Sequence, residues 1–305
     1  MCNSYEMRHL LVFCVVYAVL VYFLPQMERE LWLGVKPRFS VYAKLQNVRH
    51  IRINFVKGAC LLCIWPFMVH AGPRIFVEMG GFSMACFAIA CSSDRLRVER
   101  ATSKLFWHSL FLSADVPTPR LIALCDQEGR ARLIDTSLTK GVRKPDRGMY
   151  GVDVRRQTTD EFIRTPKACD ILQEEIQSTG RAGETYRIST FRCARGTRII
   201  SVFLESLRNA SIPASLWERL IQFARRHLVP LHAFQLMSLP LIGWDIIHTR
   251  NDTFVVLEGN PGGSAGMHLL TFASDIGSVN AGIAATWVSD LREAHALGIY
   301  DGFSI

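Results

Sequence analysis

Two apolar runs near the C-terminal end of the chain constrain its fold most, because only a short polar segment separates them. Residues 242–249 and 253–257 are rich in β-branched and aromatic side chains, which favours strands. The segment Arg250-Asn251-Asp252 between them has the composition of a tight turn. The sequence therefore predicts an antiparallel hairpin.

The register of this hairpin decides which polar side chains face each other. If Asn251 and Asp252 form the centre of the turn, Asp245 lies opposite Glu258, and Asn260 lies on the same face one pleat further on. Facing carboxylates repel each other unless a cation lies between them. Because Asp, Glu and Asn oxygens are ligands that Mg²⁺ prefers, we predict a magnesium site at Asp245, Glu258 and Asn260. The alternative is a solvated carboxylate pair in a register shifted by one residue.

A glycine-bearing segment, GVRKPDRGMYGVDVRR, lies in the first half of the chain. Its glycines at positions 141, 148 and 151 surround Lys144. A glycine turn between two strands exposes backbone N–H groups, and a lysine adds a positive charge, so the segment suits a phosphate. A solvated lysine beside an ordinary turn is the alternative.

The run TYRISTFR predicts a strand with an arginine at its centre. Arg187 would share one face with Ser189 and Phe191. Because a buried arginine is costly without a negative partner, Arg187 is expected to meet a bound anion or to form a cross-strand ion pair at a sheet edge.

The composition limits the partners of the chain. Its 305 residues suffice for about two domains. The net charge of +8 fits phosphate ligands, an anionic membrane or nucleic acid. The basic residues are scattered and no RNA-binding aromatic motif is present, so nucleic acid is not expected as a partner. Nine cysteines, an odd number, in apolar surroundings indicate reduced thiols in the cytoplasm.

The N-terminal region is hydrophobic and is predicted to be mainly helical. Residues 9–24 are almost wholly apolar. As a helix they would span about 24 Å, slightly less than the ~30 Å of a bilayer core. The segment is therefore either a signal anchor or a buried helix, and the protein is expected in the cytoplasm, with this segment as a candidate anchor to the inner face of the membrane.

Five motifs in a fixed order resemble those of the ATP-grasp superfamily: KLFWHSLFLSADVPTP, KPDRGMYG, LQEEI, TYRISTFR and GWDIIHTRNDTFVVLEGNPGG. The resemblance is closest to the sugar-transfer-associated and α-L-glutamate ligase-like branch. It implies an α+β fold in which two α+β subdomains grip ATP, after the hydrophobic N-terminal region. The implied boundaries are 1–95 for that region and 96–305 for the ATP-grasp domain, with subdomains at about 101–168 and about 169–290.

The resemblance also implies a role for each matching residue. Lys104 and Lys144 match lysines that approach the ATP phosphates, and Arg187 matches a basic residue that stabilises the transferred group. Asp245, Glu258 and Asn260 match the magnesium ligands. The remaining matches are Arg147, Gly148 and Gly151 in the flap over the phosphates, Gln173, Glu174, Glu175 and Ile176 in the strand that reads adenine and ribose, and Gly262, Gly263 and Ser264 beside the acceptor.

The resemblance implies an ATP- and Mg²⁺-dependent ligase. Such enzymes activate a carboxylate as an acyl phosphate for attack by an amine or a similar nucleophile, and this branch points to cell-surface polysaccharide biosynthesis or modification. The chain departs from the branch because it lacks an evident βαβ domain before residue 95 and is compact between residues 205 and 241. Two alternatives therefore stay open: a kinase that phosphorylates a non-carboxylate acceptor, and a non-catalytic, membrane-associated nucleotide-binding module.

Overall fold

The computed structural model describes residues 81–147, 153–179, 185–204, 212–262 and 281–300. The predicted signal anchor at 9–24 lies outside these ranges. No helix within them is long and apolar enough to cross a membrane.

The described residues form seven α-helices, one π-helical turn and nine strands. The helices are α1 (Gly81–Ser93), α2 (Arg95–Arg100), α3 (Lys104–Ser113), α4 (Thr159–Arg164), α5 (Ala214–Phe223), the π turn (Ala224–Leu228), α6 (Val229–Gln235) and α7 (Ala281–Ala296). The strands are β1 (Leu121–Cys125), β2 (Ala131–Leu133), β3 (Lys140–Pro145), β4 (Arg155–Thr158), β5 (Asp170–Gln173), β6 (Tyr186–Cys193), β7 (Gly196–Leu204), β8 (Leu241–His248) and β9 (Phe254–Pro261).

The first sheet is antiparallel and has the strand order β2-β1-β5-β3-β4. Its central strand β5 is buried at every position. The strand that was expected to carry Gln173, Glu174, Glu175 and Ile176 ends at Gln173. Glu174 and Glu175 form ion pairs near the surface with Arg120 and Arg156. This strand belongs to the first sheet, although the implied boundary between the subdomains lies at about residue 169.

The second sheet has the order β7-β6-β8-β9 and is also antiparallel. Strand β8 is buried along its whole length. Buried aliphatic side chains of α5, the π turn and α6 join the same core as β6 and β8. Two antiparallel sheets with helices packed against them confirm the α+β class predicted from the sequence.

Helix α3 connects the two sheets. Ser103 caps its N-terminus by accepting a hydrogen bond from the backbone N–H of Phe106, as its position before the apolar run predicts. Trp107 and Phe111 then pack on Trp244 of β8, with ring centroids 5.6 and 6.2 Å away. The helix therefore has its apolar face on the second sheet.

A buried polar network supports the middle of the second sheet. Trp244 donates its indole N–H to Thr190 Oγ1 at 2.8 Å, and Thr190 Oγ1 also lies 2.8 Å from His232 Nδ1. Burial lowers the pKa of His232 to about 4, so the ring is neutral. His232 therefore has a structural role in this network.

Candidate functional site

The β8–β9 hairpin pairs Asp245 with Glu258, as predicted, although its register changes along the strands. Near the turn His248 pairs with Phe254, one residue out of the expected register. A bulge at Leu257 then restores the register before Asp245. Because bulges re-aim the side chains beside them, the uniform register predicted for the whole hairpin is wrong, while the pair it predicted is confirmed.

Strand β9 also continues further than the sequence indicated. It runs to Pro261, so Glu258 and Asn260 lie within the strand and not after its end. Gly259 between them has Trp107 beneath it, and a Cβ there would lie 2.7 to 2.9 Å from three atoms of the Trp107 ring. Helix α3 can pack against this edge only because position 259 is glycine.

Asp245 is held by residues of both neighbouring strands. It pairs with Arg187 of β6 and forms an ion pair with its guanidinium group. Asn260 of β9 donates its side-chain N–H to Asp245 Oδ2 at 3.1 Å. Of the two alternatives for Arg187, the structure has the cross-strand ion pair, and it lies between two inner strands instead of at the sheet edge.

Glu258 faces a cation from another element. Lys104, the first residue of α3, places its Nζ 3.6 Å from Glu258 Oε2. Lys104 is buried, whereas the Glu258 side chain is 28% exposed. Each of the two facing carboxylates thus has a positive partner within the protein, so their proximity does not by itself require a metal ion.

Lys144 reaches the same cluster from β3 of the first sheet. Burial lowers the pKa of Lys144 to about 8, against the opposing attraction of Glu258 and Asp245, and the positive charge of Lys104 lowers it further. The charges of two lysines, from α3 and β3, and of two carboxylates, from β8 and β9, therefore interact at a single place. That place lies where the two sheets approach.

The oxygen donors at this place suit Mg²⁺. Asp245, Glu258 and Asn260 supply two carboxylates and an amide, and Mg²⁺ usually keeps several water or phosphate ligands besides one or two carboxylates. Among the described residues no group of three or more His, Cys, Asp or Glu side chains could hold a metal ion. Two carboxylates and one amide leave coordination positions for water or phosphate, so this donor set suits a site shared between the protein and a phosphate.

The residues predicted to bind the nucleotide base occupy the end of β5 and the segment after it. Gln173 is buried, and its Oε1 has no hydrogen-bond partner within the described ranges. Glu174 bonds to Arg120 at 3.2 Å and Glu175 to Arg156 at 2.6 Å, both near the surface. Ile176 is half-buried. Their nucleotide roles stay predictions.

The flap and acceptor predictions lie mostly beyond the described ranges. Arg147 is exposed at the start of the predicted flap. Gly262 has a positive φ of 77° and lies against Phe87 of α1, so it lacks space for a side chain. Gly148, Gly151, Gly263 and Ser264 are outside the residues that the structure describes.

The sequence reasoning missed His108. It follows Lys104 by one helical turn, which places it on the same face of α3. Burial lowers its pKa, a hydrogen bond with the Pro119 backbone opposes this shift, and the charge of Lys144 adds to it. Its Nδ1 is buried without a hydrogen-bond partner in the described part of the chain. The four-residue spacing from Lys104 was the available signal.

No protein-family model matches the chain, and no curated protein matches it in sequence. Similar solved structures include N5-carboxyaminoimidazole ribonucleotide synthetase from Thermotoga maritima, with 13% identity over 62% of this chain and a TM-score of 0.43. D-Alanine-D-alanine ligase from Helicobacter pylori has the same three values. The ATP-grasp ligase PsnB, in a complex with Mg and ADP, is 16% identical over 68% of this chain, with a TM-score of 0.40.

The chain spans 54%, 59% and 66% of the lengths of these three proteins. At such low identity the likeness concerns the fold alone.

Proposed function

We propose that the chain binds Mg-ATP where its two sheets approach and uses it to activate a carboxylate for ligation. The observation that carries this proposal is the convergence of Lys104, Lys144 and Arg187 on Asp245 and Glu258. These cations and carboxylates come from both sheets and from α3. A site with both positive and negative side chains suits a ligand that itself carries both negative and positive charge.

The charges of Mg-ATP are complementary to those of the site. The phosphates attract Lys104, Lys144 and Arg187, while the oxygens of Asp245 and Glu258 are freed to face the metal. Mg²⁺, when bound, neutralises phosphate charge and orients the phosphates for transfer. The lysines and the arginine would exchange their carboxylate partners for phosphates, and the carboxylates would exchange their cationic partners for the metal ion. Few buried charges would therefore be left without a partner.

The proposed reaction transfers the γ-phosphoryl group of ATP to a substrate carboxylate. The bond to the ADP oxygen breaks as the bond to the carboxylate oxygen forms, giving ADP and an acyl phosphate. An amine or a similar nucleophile then attacks the acyl carbon, and phosphate leaves. Because charge is spread over the phosphoryl oxygens during transfer, the main requirement is for fixed cations, and we assign this role to Lys144 and Arg187.

Binding is tested first, by calorimetry with Mg-ATP. Glu258→Gln keeps the shape of the side chain and removes its charge, so we expect at least a tenfold weaker affinity for Mg-ATP (about 1.4 kcal/mol). Glu128→Gln is the matched control, because Glu128 is exposed in a turn of the first sheet and should leave the affinity unchanged. Equal affinities in the wild type and Glu258→Gln would contradict the assignment.

The class of reaction is tested by product analysis. A ligase releases ADP and phosphate only when a carboxylate and a nucleophile are both present, so panels of amino acids, amines and sugar acids should be screened in pairs. A stable phosphorylated product in the phosphorus NMR spectrum would identify a kinase instead. Activity with sugar acids would support a role in cell-surface polysaccharide synthesis, which rests on the sequence resemblance.

We also propose that the protein works in the cytoplasm, where ATP is available, and that residues 9–24 attach it to the inner face of the membrane. The near-continuous apolar character of this segment supports the attachment. Deleting residues 1–30 should move the protein from the membrane fraction to the supernatant. Retention in the membrane fraction would contradict the attachment.

A further inference from the structure

We propose that Asp146 is a positioning residue that sets the relative placement of Lys104 and Lys144. Asp146 directly follows the strand that carries Lys144, and it bonds to the first turn of the helix that begins with Lys104. The inference rests on the proposed binding of ATP phosphates by these two lysines.

The carboxylate of Asp146 is buried and connects two elements. Its Oδ1 accepts hydrogen bonds from Ser103 Oγ and from the backbone N–H of Leu105, each at 2.8 Å. The backbone N–H of Lys104 donates to the Asp146 carbonyl oxygen at 3.0 Å. On the other side, the backbone N–H of Asp146 donates to the carbonyl oxygen of Cys169 at 2.8 Å, just before β5.

These bonds satisfy a helix end that would otherwise lack partners. The first N–H groups of a helix have no acceptor within the helix, and a carboxylate placed there is stabilised by the helix dipole. Asp146 also orients the Ser103 hydroxyl group, because the proton of that hydroxyl points to Asp146 and a lone pair is left for the N–H of Phe106, 3.1 Å away. Ser103 caps the helix directly, and Asp146 fixes the cap to the first sheet.

The second attachment of α3 is to the other sheet. One turn after Lys104, Trp107 packs beneath Gly259, between the predicted metal ligands Glu258 and Asn260. The helix is therefore held to the first sheet by Asp146 and to the second by Trp107. Lys104 lies between these attachments, which explains why its Nζ meets Glu258 while its charge also reaches Lys144.

Without the two side-chain bonds of Asp146, the helix would keep its apolar packing on the second sheet. Of the bonds described above, only the one from the backbone N–H of Lys104 to the Asp146 carbonyl oxygen would still hold the helix next to β3. Lys104 and Lys144 repel each other, so their separation would increase. Asp245 and Glu258 both belong to the second sheet, so neither of them would hold the two lysines together. The effect should appear in phosphate binding and not in binding of the nucleoside part.

The test measures dissociation constants for Mg-ATP and for adenosine at a temperature at which every variant is folded. We expect Asp146→Ala to weaken Mg-ATP binding at least tenfold and to leave adenosine binding unchanged. Asp146→Asn keeps an acceptor oxygen for Ser103 and Leu105, so it should restore most of the affinity. Asp94→Ala is the matched control, because Asp94 caps α2 through the N–H of Arg97 at 2.9 Å and has no lysine of the site beside it.

Two results would overturn the inference. One is an unchanged Mg-ATP affinity in folded Asp146→Ala, which would reduce Asp146 to a helix cap like Asp94. The other is an equal loss of Mg-ATP and adenosine binding, which would indicate a general distortion. If the wild type itself fails to bind Mg-ATP, the proposed function fails instead, so the two failures are distinguishable.

Discussion

Among the residues that the structure describes, each sheet contains a buried arginine–aspartate pair, and the two pairs have different surroundings. In the first sheet Arg143 Nε lies 2.6 Å from Asp170 Oδ2, and Arg143 Nη1 donates to the Thr165 carbonyl oxygen at 2.7 Å. Phe162 covers the guanidinium group, with its ring centroid 5.1 Å away. All these partners belong to the first sheet and its helix, so this pair is enclosed.

The pair of Arg187 and Asp245 in the second sheet is open by comparison. Asp245 also accepts a hydrogen bond from Asn260, and its charge reaches Lys144 of the other sheet. Glu258 lies opposite Asp245 in the hairpin, and Lys104 forms an ion pair with Glu258. Both pairs are buried, so burial alone does not distinguish a functional ion pair from a structural one. The pair of Arg187 and Asp245 differs because charged side chains from several other elements surround it.

The largest expected effect separates the two pairs by replacing each with apolar residues. Arg143→Met alone should lower the free energy of unfolding by about 3–5 kcal/mol, because it leaves Asp170 buried without its partner. Arg143→Met/Asp170→Leu should recover much of that loss, since replacing both charges is often neutral, and should keep the Mg-ATP affinity. Urea unfolding and calorimetry measure the two quantities.

The corresponding double variant of the open pair should behave differently. Arg187→Met/Asp245→Leu should also recover stability relative to Arg187→Met, but it should abolish Mg-ATP binding. The distinction between the pairs fails if this variant binds Mg-ATP like the wild type, or if Arg143→Met/Asp170→Leu loses binding while it stays folded.

The sequence predicts the open pair only in part. The hairpin, the facing of Asp245 and Glu258, and the Ser103 cap all follow from local patterns, because strand alternation and capping depend on residues close in the chain. The ion pair of Arg187 was one of two alternatives. Choosing between them requires the order of the strands, which is set by packing of distant segments.

The resemblance identified Lys104, but the contacts that fix α3 to the two sheets could not be read from the sequence. Asp146 is distant in the sequence from the helix that it caps, and nothing local distinguishes it from a flap residue. The fit of Trp107 against Gly259 joins two segments that lie still further apart. Long-range contacts of this kind leave no periodic pattern, whereas His108 does, since it lies one helical turn from Lys104.

A smaller effect is expected at Gly259, which lies next to Glu258 and is tightly packed against Trp107. Gly259→Ala would place a Cβ 2.7 Å from the Trp107 ring, and such overpacking should cost about 1–3 kcal/mol of unfolding free energy. It should also raise the Mg²⁺ concentration needed for ATP binding, because the flanking Glu258 and Asn260 shift. Adding Trp107→Leu makes room and should restore the Mg²⁺ dependence; no response to Gly259→Ala in either measurement would contradict the contact.

The smallest expected effect is a pH dependence that arises from Lys144, whose charge interacts with Asp245 of the open pair. The pKa of Lys144 is lowered to about 8, so the free protein loses this charge as the pH rises through about 8, while the unfolded chain keeps it to about 10.5. Because the unfolded state then binds more protons, the protein without ligand should become more stable between these pH values.

ATP phosphates require the charged form of Lys144, and their own ionisation is complete above about pH 7. Mg-ATP affinity should therefore fall above pH 8, by at most about tenfold per pH unit. Lys144→Arg stays charged and should bind with an affinity that is level across this range, so an equal pH dependence in both proteins would show that Lys144 is not the titrating group.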